Sequence, residues 1–196
     1  MTDQCRDTWT ELERIKRVSD MLCTGHAGLR DRYAHRALSL ELAVLGLSTW
    51  LVALAFVAPR IDVSLTPFGL EPQIWAGVLA AFTFFLSVVQ LKVDWRGRAE
   101  AHKRSLAIYA QVHREAGYLL ASECDLRNEA CQRLLARYDF GTEIGIDIPE
   151  KDFLPQKRRH LTKIAISKHL DSHPAASILL MRAKFWARDN RTRRNP

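Results

Sequence analysis

Two stretches of this 196-residue chain lack charge altogether. Leu42 to Ala58 is seventeen residues without Asp, Glu, Lys or Arg, and Pro72 to Leu91 is twenty. The first run grows to twenty-one if it starts at Leu38 and admits Glu41. Each spans roughly 30 Å as a helix, the thickness of a hydrocarbon core. The average composition, 47% hydrophobic and 26% charged, would suit a soluble protein and conceals this segregation. Thirteen residues separate the runs, and Trp75 and Trp95 stand near the ends of the second. A membrane hairpin therefore accounts for them better than two buried helices of a soluble protein. A secretory signal does not, because the first run begins only near residue 38, after a highly charged segment.

Other absences narrow the function. There is no phosphate-cradling Gly loop, no nucleophile elbow and no Cys-x-x-Cys pair, so neither an enzyme nor a bound cofactor is expected. His169 and His173 are four apart, but zinc needs further ligands and Pro174 follows at once, so no metal site is expected. The connector between the runs is poor in basic residues. It holds one (Arg60), against seven before the first run and twenty-one after Leu91. The positive-inside rule then puts both termini in the cytoplasm and only Pro59 to Glu71 outside. A loop this short holds no sizeable ectodomain; Thr66-Pro67-Phe68-Gly69 reads as a turn within it. Cys5, Cys23, Cys124 and Cys131 fall on the reducing side, where packing thiols rather than disulfides are expected. The net charge of +7 is spread over the whole cytoplasmic part without a recognition motif. It suits an anionic inner leaflet, with Lys92, Arg96 and Arg98 just below the second run, better than nucleic acid.

The rest of the chain reads as helix. Thr8-Trp9-Thr10-Glu11 has capping-box spacing and marks a start, and the Gly25 and Gly28 region marks an interruption before the pattern resumes at Leu29. After Leu91 no Pro occurs until Pro149. Trp95, Ala99, His102, Leu106, Tyr109, His113, Ala116 and Leu120 recur at three and four, which predicts that the second span continues directly into a long helix to about Tyr138. Residues 138–157 read as an irregular connector, Pro155 as the opening of a helix to about Leu170, and Ala175 to Arg188 as a short amphipathic helix. The expected architecture is all-α: a two-span domain over 1–138, with spans at about 38–58 and 72–91, and a helical extension over 139–196.

Within the apolar runs the polar residues are the informative ones. An ionised Glu41 costs of the order of 3 kcal/mol at the membrane centre and less near its edge. It could sit at headgroup level, face its own bundle or line an aqueous vestibule. On the second run Gln73, Ala76, Ala80, Thr83, Ser87, Gln90 and Asp94 form a stripe of small and polar residues. As a packing seam, Ala76 with Ala80 and Gly77 with Ala81 let backbones approach while Thr83, Ser87 and Gln90 bond across. As a pore wall, the same hydroxyls and amide would meet water. The two readings are compatible as neighbouring faces of one helix.

A basic N-terminal helix, two close spans and then DWRGRAEAHKRSLAIYAQVHREAGYL together resemble the SLATT domain, the two-transmembrane module associated with nucleotide-sensing SMODS and SLOG systems. Trp95, Ala99, His102, Tyr109 and Glu115 carry the likeness, and Asp152 to Leu170 is similar to the C-terminal extension of some subfamilies. The resemblance implies a bacterial inner-membrane effector of an anti-phage conflict system that oligomerises and opens a pore or disrupts the membrane. The chain has no recognisable sensor domain, so a separate cytoplasmic nucleotide-signal sensor or synthase, or a ligand of its own helices, would have to trigger it. Two spans cannot enclose a channel, so a homo-oligomer in the lipid bilayer is required. The alternative is a non-conducting anchor or scaffold that recruits a cytoplasmic partner.

Overall fold

The computed structural model describes residues 3–56, 71–121 and 127–191. Among the described residues there are six helices, in order α1 (Asp3–Phe56), α2 (Pro72–Val93), α3 (Trp95–Ala121), α4 (Arg127–Ile144), α5 (Glu150–Ser172) and α6 (Ile178–Arg191). No strand occurs among the described residues. The described part of the first apolar run and the whole of the second lie in helices long and apolar enough to cross a membrane. Within each apolar window only 6% of residues are buried, whereas the core helix of a soluble protein would bury most of its apolar side chains. The turn expected at Thr66-Pro67-Phe68-Gly69 lies outside the described residues.

Several boundaries depart from the sequence pattern for physical reasons. The helix expected to begin at Thr8 begins at Asp3, so the capping-box spacing sits inside it, and Glu11 instead accepts from Arg14 Nη2 at 2.6 Å. That guanidinium holds the Glu11 carboxyl below its usual range. The helix expected to run on to Tyr138 is described over Trp95–Ala121 and Arg127–Ile144, and the part of it at 122–126 lies outside the described residues. The expected irregular connector is largely helical too, since α4 runs to Ile144 and α5 opens at Glu150 rather than Pro155. Pro155 is tolerated in the second turn of α5, where only one carbonyl loses its donor, while the Asp152 and Phe153 amides both donate to the Pro149 carbonyl, at 2.8 and 3.1 Å.

The expected continuity of the second span into the following helix is interrupted at one residue. Asp94 takes a left-handed conformation (φ 44°, ψ 53°) and closes α2. Its Oδ1 accepts the Gly97 amide at 2.9 Å, so the same side chain opens α3 as an N-cap. A Cβ at residue 97 would run into that carboxylate, which would have to shift to admit it.

The chain divides into two compact units. The first, residues 29–103, holds both apolar runs. Its interior is slight: Leu79 is buried on α2, half-buried Thr83, Leu86 and Val89 continue the same line, and Leu54 is buried on α1. Trp50 meets Trp75 edge to face at 5.9 Å, and Tyr33 stacks on the buried His102 at 5.6 Å.

The second unit, residues 1–28 with 104–196, has a conventional core. Leu12 and Ile15 of α1 meet Val112 and Ala116 of α3 and Cys131 and Leu134 of α4, all buried. Beside this core lies a polar interior. Asp152, Gln156 and His160, four apart on α5, are all buried, and His160 Nδ1 lies 3.0 Å from Thr24 Oγ1. The buried Ser105 hydroxyl accepts the Ile146 amide at 3.2 Å, while Tyr109 stacks on His26 and donates to the Gly141 carbonyl at 3.3 Å. Gly25 and Gly28 do not interrupt α1. They thin it instead: a Cβ at residue 25 would stand 2.7 Å from Ile148 Cδ1, and one at residue 28 would strike the Gln156 amide and come within 2.7 Å of Arg159 Nη1.

Candidate functional site

The polar residues singled out on the two apolar helices meet at one end of the first unit. Glu41 comes from α1, one helical turn beyond Ala37, and Ser87 and Gln90 come from the last turns of α2. Together with Asp94, Trp95 and Arg96 they line a recess of about 530 Å³. Arg96 Nη1 stands 3.5 Å from Glu41 Oε1. An arginine just past the break at Asp94 thus partly neutralises the one carboxylate carried within the first apolar stretch. A second recess of about 270 Å³ shares Glu41 and Arg96 and adds Arg30, Glu100 and Lys103. The first recess thus mixes apolar lining, Ala37, Leu40, Leu91 and Trp95, with two carboxylates, Glu41 and Asp94, and the guanidinium of Arg96.

The stripe itself splits. Thr83 lies on the inward line beside Leu79, and Ala76 is half-buried. Gln73, Ala80, Ser87, Gln90 and Asp94 are exposed. The hydroxyls are already satisfied along their own helix: Thr83 donates to the Leu79 carbonyl at 2.7 Å and Ser87 to the Thr83 carbonyl at 2.9 Å. Gly77 and Ala81 are exposed as well, and a Cβ built on Gly77 meets nothing within 4 Å. These small residues are not consumed by packing inside this chain.

Along α3 the buried line is Ala99, His102, Ser105, Tyr109, Val112 and Ala116. Of the residues singled out on this stretch from sequence, Ala99, His102 and Tyr109 lie on it, Trp95 lines the recess, and Glu115 is an ion-pair partner of Arg137. Ser105 and Val112 replace Leu106 and His113 at the centre of the face. His113 is half-buried with Nδ1 3.1 Å from the Lys16 carbonyl. Apolar periodicity passed over Ser105, since a hydroxyl carries no hydrophobic signal. It passed over Asp152, Gln156 and His160 for the same reason, although their i, i+4, i+8 spacing is visible in the sequence.

Elsewhere the chemistry is quiet. His169 and His173 stack on each other at 4.6 Å, and no group of three or more His, Cys, Asp or Glu among the described residues is placed to hold a metal. Cys131 is buried in the core and Cys23 is half-buried; burial pushes the Cys23 thiol up to about 11. Cys5 and Cys124 lie where no side chain is described. Burial likewise pushes the Tyr109 phenol up.

Compared with protein-family models, curated proteins and solved structures, the chain shows no significant match to any of the three.

Proposed function

We propose that this chain is a two-span effector of a bacterial inner membrane, with both termini in the cytoplasm, that self-associates and forms a pore or disrupts the bilayer when a cytoplasmic nucleotide-linked sensor activates it in an anti-phage response. One observation carries the reading: Glu41, Ser87, Gln90 and Asp94, from the two apolar helical runs, converge on one recess. A simple anchor has no need to gather its polar residues in this way. In the hairpin so formed, the exposed Gly77 and Ala81 offer close helix contact to a second copy, since small residues drive helix association where lipid supplies no hydrophobic force. Several copies would set their recesses around a common axis. The likeness to the SLATT domain at Trp95, Ala99, His102, Tyr109 and Glu115 points the same way and supplies the conflict-system context.

The test is flux across liposomes that contain the purified protein, comparing wild type with the double variant Ser87→Leu and Gln90→Leu. Oligomer size is followed in parallel. The proposal expects ion flux to fall at least tenfold, about 1.4 kcal/mol in barrier terms, with the oligomer unchanged. Equal flux from intact oligomers would take the stripe out of the path.

The second reading, a non-conducting anchor or scaffold, is favoured by the Thr83 and Ser87 hydroxyls, which are satisfied by carbonyls of their own helix and ask nothing of water. It expects no loss of membrane potential when the protein is overproduced in bacteria, which a potential-sensitive dye reads directly.

A further inference from the structure

The last helix, α6, has two faces of different fate. Met181 is buried and Phe185 half-buried on the side that packs on α5. The opposite side leaves Leu179 75% and Trp186 68% exposed, with the exposed Ala183 between them at helical spacing. By register, Arg182 flanks this stripe on one side and Lys184 on the other. Over Ile178 to Arg191 there are four basic residues against the single acid Asp189, and Asp189 already pairs with Arg188 at 3.0 Å.

A narrow apolar stripe with an aromatic at one end and cations along both edges is the pattern of a helix lying in a membrane interface. The apolar side chains enter the acyl boundary, and long basic side chains reach back to the phosphates. We propose that the outer face of α6 docks on an anionic phospholipid surface, Leu179, Ala183 and Trp186 entering the interface and Arg182 and Lys184 binding lipid phosphate. Charge complementarity selects this occupant: an anionic leaflet satisfies every cation on the face at once and covers the stripe. The proposal rests on the bilayer reading above, but not on conduction.

The experiment uses the full chain in nanodiscs, with the photocrosslinker p-benzoylphenylalanine replacing Ala183 in one sample and Phe84, an exposed residue of the second apolar run, in another. Mass spectrometry identifies what is captured. Expected are phospholipid adducts at both positions, with capture at residue 183 at least tenfold stronger in phosphatidylethanolamine with phosphatidylglycerol than in phosphatidylcholine alone. Adding Arg182→Glu with Lys184→Glu should reduce capture at 183 by about tenfold or more and leave capture at 84 unchanged. Capture of lipid at 84 with none at 183, capture of a second copy at 183, or equal capture at 183 in both lipids would each overturn the proposal. No lipid at either position would remove the bilayer reading together with this one. Because Met181 and Phe185 are untouched, circular dichroism of the variants is expected to match wild type.

Discussion

The two units solve the burial problem in opposite ways. In residues 1–28 with 104–196, apolar side chains from α1, α3 and α4 close a core, and three polar side chains beside it are partnered: Thr24 with His160, Ser105 with the Ile146 amide, Tyr109 with the Gly141 carbonyl. In residues 29–103 the most apolar helices of the chain leave Phe84 71% and Leu45 63% exposed. The more hydrophobic unit is thus the less buried one. In water this would be an aggregation hazard; in a bilayer it is the expected state, because lipid tails replace the missing core. The lesson is that hydrophobicity says which residues leave water, and only packing says what they leave it for.

That contrast can be broken by mutation, and the largest effect is expected at the core. Leu12→Ala should cost about 2–5 kcal/mol in the packed unit, read by chemical denaturation in mild detergent, while Phe84→Ala should change stability by no more than about 0.5 kcal/mol. Comparable losses at both would mean that the apolar unit has a protein core after all. Next comes the close approach at the thinned helix. Gly28→Leu forces the added side chain into Gln156 and Arg159, and a loss of about 1–3 kcal/mol is expected. A neutral outcome would show that α5 does not lie against Gly28 in solution.

The Cys23 thiol tests burial by chemistry rather than by unfolding. Its ordinary value of 9.0 is raised to about 11, first by burial and then by Asp20. The folded state therefore holds the proton more tightly. Its contribution to stability is complete below pH 9 and is lost as pH rises from 9 to about 11. At pH 8 alkylation of Cys23 should run about 100-fold slower than that of an unfolded control, and rise steeply only near pH 11. A control-like rate at pH 8 would place the thiol in water. The smallest effect is expected at the joint of α2 and α3. Asp94→Ala removes the cap on Gly97 and puts alanine in a left-handed conformation, at a cost of about 1–2 kcal/mol, whereas Asp94→Asn should cost a few tenths. Equal losses for the two would mean that the charge, rather than the cap, matters there.

How far the sequence could be read follows the same division. Helices were legible wherever a long uncharged run or a three-four apolar rhythm persisted, as in the two runs and in α3. Boundaries were not, because they depend on single residues whose role is set by neighbours. Thr8 has a capping residue's identity but lies inside a helix. Asp94 looked like one more polar position on a stripe and instead ends one helix and starts another. Gly25 and Gly28 read as a break because glycine disfavours helix by around 1 kcal/mol each. In the structure the backbone stays helical and the missing side chains admit α5. For the candidate site, Glu41, Ser87, Gln90 and Asp94 were all named from sequence. The recess they share, and Arg96 within it, required the two helices to be placed side by side.

By itself the sequence determined the all-helical character, the two stretches long and apolar enough to cross a membrane, and the asymmetry of charge about them, since these follow from local propensity and from the number of apolar residues in a row. The tertiary structure alone decided which polar residues are buried, why α1 is thin at Gly25 and Gly28, and that Glu41 faces Arg96. These are relations between residues far apart in the chain. No local pattern encodes them, because burial of a polar side chain is favourable only when a partner arrives from elsewhere to satisfy it.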